Sequence, residues 1–211
     1  MSTNPQLTYA VGGPNSNFKD LASIDTTTLA QGNVSIHVYP GEYAGLTGAV
    51  LKDVSFRGMG HQDEIIIHGP FTVANTSTGT INFSNMRFKG SASGATANTF
   101  CVEKLGIGHT NLHFQNCVFA NAESAVRSHT TPALGTTNKV VKMEYCHATN
   151  LNTGIHMNAN IEASHSSFPT GKQYCVPLSG AVEAITTATV RLCAGGANVG
   201  LMVETVEGAI S

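Results

Sequence analysis

The chain has 211 residues, a length for one domain with a full core, and a hydrophobic share of 41%, which excludes a disordered, solvating polypeptide. Eleven lysines and arginines against 13 aspartates and glutamates leave a net charge of −2 with no basic stripe, so nucleic acid is not an expected partner. No apolar run reaches the roughly 18 residues that a membrane span needs, so no membrane partner is expected.

Charged residues make up only 11% of the chain, against about 25% in ordinary globular domains, so the surface is built from Ser, Thr, Asn and Gly. A neutral surface of this kind suits a protein covered by neighbours or one that touches sugars; it is also the ordinary composition of β-solenoids. The N-terminus, MSTNPQLTYAVGGPNSNF, has no basic region followed by an apolar segment, and synthesis in the cytosol without a secretion signal is the expectation.

Residues 1–16 are polar and glycine-rich and read as an irregular arm. Asn17 is placed to cap a short helix that carries Phe18, Leu21 and Ala22 on one face, a cap for the open end of whatever follows. Val34–Tyr39 (VSIHVY) is a strand turned by Pro40-Gly41. Val50–Arg57 is strand material broken by the glycines of Gly58–Gly60, and Ile65–His68 (IIIH) is stopped by Gly69-Pro70. The GMG run lacks the following helix of a dinucleotide fingerprint and reads as a tight turn.

A repeat then takes over. Ile81–Phe88 (INFSNMRF) is echoed by Leu112–Phe119 (LHFQNCVF), Val141–Ala148 (VKMEYCHA) and Ile161–Phe168 (IEASHSSF), with starts 31, 29 and 20 residues apart. Each unit is a short strand, one bend residue and a second short strand. In the first strand Ile81/Leu112/Val141/Ile161 and Phe83/Phe114/Met143/Ala163 alternate with polar Asn82/His113/Lys142/Glu162, one face buried and one wet. The bend falls at Asn85, Asn116, Tyr145 and His165; asparagine tolerates the left-handed backbone that a corner without a loop requires. After it Met86/Cys117/Cys146/Ser166 and Phe88/Phe119/Ala148/Phe168 face inward. Strands that cannot bury their faces alone, repeated at this spacing, predict a solenoid.

A third family of strands is predicted at Phe100–Glu103, Ala125–Ser128 and Gly154–Met157, with Val102, Val126 and Ile155 inward and Glu103, Arg127 and His156 outward. His68 is placed in the same outward column on the coil before. The Thr/Gly/Pro segment 128–138 is a loop thrown out of the stack, suited to contact rather than catalysis. Five cysteines without C-x-x-C spacing include Cys117 and Cys146 in one inward column. Adjacent rungs about 4.8 Å apart leave a disulfide open by distance; burial and cytosolic synthesis favour free thiols. The chain divides at Pro169: residues 1–169 hold the arm, cap and coils, and residues 170–211, with strands at Tyr174–Leu178, Ala188–Cys193 and Val199–Val206, form a C-terminal cap or oligomerisation segment of the same domain.

The repeats, together with the strings GNVSIHVYPGEY and VSFRGMGHQDEIIIHG, resemble the right-handed parallel β-helix of the pectate-lyase-like superfamily, which includes pectate lyases, polygalacturonases, pectin methylesterases and phage tailspikes. The expected fold is therefore all-β, a short right-handed parallel β-helix with an N-terminal cap and a strand-rich C-terminal segment. The resemblance carries no catalytic motif across. Polygalacturonases use several aspartates on neighbouring coils, pectate lyases use acidic calcium ligands, and pectin methylesterases use paired aspartates with glutamine and arginine. This chain has four aspartates, Asp20, Asp25, Asp53 and Asp63, all before the later coils.

Two constellations remain. The outward column His68, Glu103, Arg127, His156 is the candidate binding face for any ligand; one carboxylate beside a guanidinium forms an ion pair and leaves no general acid. Glu144 and Glu162 would stand about 8 Å apart by rung and rise, within the roughly 6.5–9.5 Å of inverting glycosidases, but Lys142 beside Glu162 makes a surface ion-pair ladder the simpler account. Nine histidines include His109 and His113, which share no face if the stretch is turn then strand, and His147, His156 and His165, which lie on different strand families; no metal site, no catalytic residue and no cofactor is expected. By analogy with tailspikes the expected function is non-enzymatic: a structural component of a virus (phage) particle, such as a capsid decoration or cement protein or a head–tail accessory protein. Its expected place is the virion, after synthesis in the host cytoplasm. It is expected to be a homo-oligomer, a trimer by the same analogy, with capsid or tail proteins as partners. The alternatives are a carbohydrate-active β-helix, a tailspike-type depolymerase or polysaccharide lyase, and a non-catalytic sugar-binding adhesin.

Overall fold

The computed structural model describes residues 6–90, 99–105, 110–128, 140–156, 160–168, 173–175, 187–191, 194–195 and 206–207. The chain winds as a parallel β-solenoid. One wall is a sheet of Leu7–Val11, Val34–Val38, Val54–Gly58, Gly79–Ser84, Thr110–Gln115, Val140–Glu144, Asn160–Ser164 and Thr187–Arg191, paired in that order and all parallel, and it ends on an antiparallel Val206–Glu207. A second wall runs from Gly41–Ala44 through Ile65–His68, Arg87–Lys89, Val118–Ser128 and His147–His156 to Ser167–Phe168 and Ala194–Gly195. A third strip is formed by Phe71–Val73 and Phe100–Lys104, the far halves of Val118–Ser128 and His147–His156, and Gln173–Cys175.

Period-2 alternation decides which side chains enter the core. Ile81, Phe83, Leu112, Phe114, Val141 and Met143 are buried, and the register stacks them: Ile81 on Leu112 on Val141, and Phe83 on Phe114 on Met143. The rings of Phe56, Phe83 and Phe114 stack at 5.4 and 5.1 Å, and Phe88 stacks on Phe119 at 5.6 Å. The two phenylalanine columns meet edge to face, Phe83 on Phe88 at 5.5 Å and Phe114 on Phe119 at 5.2 Å, an arrangement the ring quadrupoles favour.

The corners fall where the repeat places them. Asn85, Asn116, Tyr145 and His165 have φ of 56°, 50°, 53° and 50°, and Met86, Cys117, Cys146 and Ser166 after them are buried. Asn116 Nδ2 donates to Asn85 Oδ1 at 2.9 Å, so the corner is also a side-chain ladder. Asn116→Val is expected to destabilise the protein by about 1–2 kcal/mol, because a β-branched Cβ clashes with the left-handed backbone. Denaturant titration measures it; an unchanged midpoint would contradict the corner.

A second corner was not read from the sequence. Asn121 (φ 54°) and Asn150 (φ 52°) bend single long strands from the second wall into the third strip, and Asn150 Nδ2 donates to Asn121 Oδ1 at 3.0 Å. Gly58 owes its identity to a close approach, since a Cβ there would run into the Asn85 carbonyl. Cys101, Cys117 and Cys146 are buried free thiols; burial pushes Cys101 up to about 12 and Cys117 well above its usual value, so both are expected to be unreactive.

The ends depart from expectation. Residues 7–11 are not part of an irregular arm: Leu7–Val11 is the first rung, in register with Val34–Val38. Asn17 caps no helix. Its Oδ1 accepts the Ala10 N–H at 2.8 Å and so blocks the open edge of that first strand, and Val11 pairs with Phe18. The helical turns are Leu21–Ser23, capped by Asp20, and Thr26–Gln31, capped by Asp25; Leu21, Ile24 and Leu29 are buried against the core while Ala22 is exposed. Beyond Pro169 the parallel rungs continue, with Ala188 against Ile161 and Val190 against Ala163. Residues 129–138 of the expected loop and residues 199–205 of the last expected strand lie outside the described residues.

Candidate functional site

The first wall turns a polar face outward in two rows set by the register. One row is Ser35, Ser55, Asn82, His113, Lys142, Glu162; the other is His37, Arg57, Ser84, Gln115, Glu144, Ser164. A groove of about 500 Å³ lies over the earlier rungs, lined among others by Ser35, Ser55, Arg57, Asn82, His113 and Gln115. No carboxylate lines it, and among the described residues none pairs with Arg57.

A hydrogen-bonded chain crosses the rungs at one end of this groove. Asn82 Nδ2 donates to Ser55 Oγ at 3.3 Å, His113 Nδ1 lies 3.2 Å from Asn82 Oδ1, and His113 Nε2 lies 3.1 Å from Glu144 Oε2. Lys142 Nζ donates to the other oxygen, Glu144 Oε1, at 2.9 Å. Both His113 and Glu144 keep about a quarter of their side chains exposed, and His113 itself lines the groove.

The Lys142 hydrogen bond, followed by that of His113, holds the Glu144 carboxyl below its usual value of 4.5. A lowered value in the folded state means that the carboxylate's contribution to stability is complete above about 4.5 and is lost as pH falls through the folded value. Glu144→Gln is therefore expected to melt below wild type at neutral pH and to converge on it in acid; a constant gap in Tm across that range would contradict the pairing.

The candidate face His68, Glu103, Arg127, His156 is only partly assembled. Arg127 pairs in register with Glu103 on one side and His156 on the other. His68 does not belong: it lies on the second wall between Ala44 and Lys89, its ring 2.9 Å from Glu42, and Thr72 takes the expected place beside Glu103. The Arg127 guanidinium lies 4.3 Å over the Phe100 ring rather than in an ion pair with Glu103, and its buried Nε has no hydrogen-bond partner. Lys142 and Glu162 are register neighbours as expected, but the lysine turns to Glu144 on its own strand.

All four aspartates have structural work. Asp20 and Asp25 cap helical turns, Asp53 Oδ1 accepts the Thr80 N–H at 3.0 Å, and Asp63 pairs with Arg87. Of the other histidines, His147 meets Ser167 Oγ, His165 stacks on the exposed Tyr145 at 4.7 Å, and His109 lies outside the described residues. Among the described residues no three His, Cys, Asp or Glu side chains cluster as metal ligands. Asn82 and His113 are outward polar positions of the repeat, which alternation marks; the contact between their side chains is what it does not mark.

No protein-family model and no curated protein matches the chain. Solved structures do. A pectin methylesterase from Aspergillus niger, in penultimately deglycosylated form, is similar at 11% identity over 100% of this chain and 92% of its own, with a TM-score of 0.46. A pectin methylesterase from carrot is similar at 10% identity over 97% of this chain and 88% of its own, with a TM-score of 0.44. The expectation that the chain is not an enzyme is corrected here, because the solved structures similar to it are those of enzymes. The missing aspartates on which it rested remove aspartate chemistry from the face but leave His113 and Glu144 on it. The chain's own strand pairing is what makes it a parallel β-helix.

Proposed function

We propose that the chain is a carbohydrate-active β-helix that cleaves an acidic polysaccharide by β-elimination on the outward face of the first wall. One observation carries this reading: His113, oriented by Glu144 and Asn82, opens onto a groove that holds Arg57 and no carboxylate. Hydrolysis by paired carboxyls requires one that stays protonated near neutral pH. Glu144 is ion-paired and held ionised, which disfavours that route. Elimination needs only one base and a cation. Arg57 engages the uronate carboxylate and makes the neighbouring C–H more acidic. His113 takes that proton, the ring double bond forms, and the glycosidic C–O bond breaks with its electron pair on the leaving oxygen, which is then protonated. The sparse charge of the surface suits a polyhydroxylated ligand, and the expectation of a virion component is set aside in favour of this reading.

The test is incubation with polygalacturonate, alginate and a hyaluronan-type polymer, following ultraviolet absorbance from unsaturated ends alongside total reducing ends. Equal growth of both signals is the expected result. Reducing ends without unsaturation would mean hydrolysis, and neither signal on any polymer would overturn cleavage.

A further inference from the structure

The hydrogen bonds of His113 run in directions that its two partners do not treat alike. Glu144 is a carboxylate and can only accept, so His113 Nε2 carries a proton whichever state the ring is in. Asn82 is different. In the orientation found, its Oδ1 faces His113 Nδ1 at 3.2 Å and its Nδ2 donates to Ser55 Oγ at 3.3 Å, which suits a charged ring donating from both nitrogens. A neutral ring would turn a lone pair on the amide oxygen. If the amide rotates by half a turn, Nδ2 donates to His113 Nδ1 and Oδ1 accepts from the Ser55 hydroxyl, which is donor and acceptor alike. The same three side chains then satisfy the neutral ring without moving it.

We infer that Asn82, backed by Ser55, is a positioning residue for His113: a two-way hydrogen-bond partner that holds the ring in one pose in both protonation states. This rests on His113 as the proton-transfer group. A base that must take up and release a proton in each turnover loses orientation if either form lacks a partner, and Asn82 removes that conflict. When a substrate C–H reaches Nδ1 the amide turns aside, so Asn82 poses the ring before and after proton transfer rather than during it. The titratable groups facing the ring are Glu144 and Lys142 on the next strand; the preceding strand, Gly79–Ser84, brings none, and Arg57 stands two strands away across the groove.

Nitrogen-15 shifts of the His113 ring, followed through a pH titration of the full chain, test this without reference to activity. Asn82→Asp, an acceptor in every orientation, is expected to raise the ring's titration midpoint by about 1–3 pH units. Asn82→Ala removes support from both forms equally and is expected to leave the midpoint within about half a unit. A drop of a unit or more in Asn82→Ala would show a fixed acceptor, and no change in Asn82→Asp would show no contact; either overturns the assignment. If the variants fail to fold, the neutral wild-type ring decides: the Nε2–H tautomer is expected, and the Nδ1–H tautomer would overturn it. Expected titrations in a protein that cleaves no acidic polymer would sink the elimination reading while leaving the role of Asn82 intact.

Discussion

Phe114→Ala is expected to lower the free energy of unfolding by about 3–5 kcal/mol, the range for deleting a buried aromatic ring and leaving a cavity. Phe114 is fully buried, stacks on Phe83 at 5.1 Å, and meets Phe119 edge-on at 5.2 Å. In a solenoid each coil rests on its two neighbours, so a hole in a middle rung loosens both interfaces at once. His113 precedes Phe114 on the same strand and points the other way, so the same variant should also disturb the groove. Denaturant unfolding measures the loss, and a value below about 1 kcal/mol would mean that the ring column is not what binds the coils together.

His113→Ala is expected to lower kcat/KM on a cleaved polysaccharide by about 10²–10⁴-fold, the usual contribution of a positioned proton-transfer group. Its side chain is part-exposed on the outer face and outside the core, so the melting temperature should change little. Arg57→Ala should act differently, raising KM as well as lowering kcat, because the guanidinium both anchors the carboxylate and stabilises the charge that develops as the neighbouring C–H is deprotonated. Steady-state kinetics separate the two. A His113→Ala enzyme with full activity would remove the proposed mechanism.

How much was legible in the sequence differs between core, ends and site. The bend column was readable because Asn85 and Asn116 recur in one pattern flanked by alternating apolar residues, and that pattern carried Tyr145 and His165 with it. Asn121 and Asn150 stand 29 residues apart, as Asn116 and Tyr145 do. No gap in the strand marks them, because the chain bends there without leaving its ladder. Leu7–Val11 was hidden because its pairing partner lies 27 residues on and local glycines argue for an arm. The place of His68 is hidden because Ile65–His68 and Phe71–Val73 are neighbouring apolar runs split only by Gly69-Pro70, and alternation does not say which of them forms the third strip. At the site, alternation showed Asn82, His113 and Lys142 to be outward, but not that His113 reaches Glu144 across both a rung and a row. That diagonal depends on side-chain length and rotamer, which alternation does not encode.

The ladder of corners also bears on how such a face changes length. Asn85, Asn116, Tyr145 and His165 are equivalent points on successive windings, so a cut at one can be joined to another with the strand register kept. Duplication or loss of the stretch between two corners adds or removes one whole rung and lengthens or shortens the polar face by about 4.8 Å. The chain is thus a modular ruler: the length of its polar face can be reset in discrete steps, while His113 stays on a single winding.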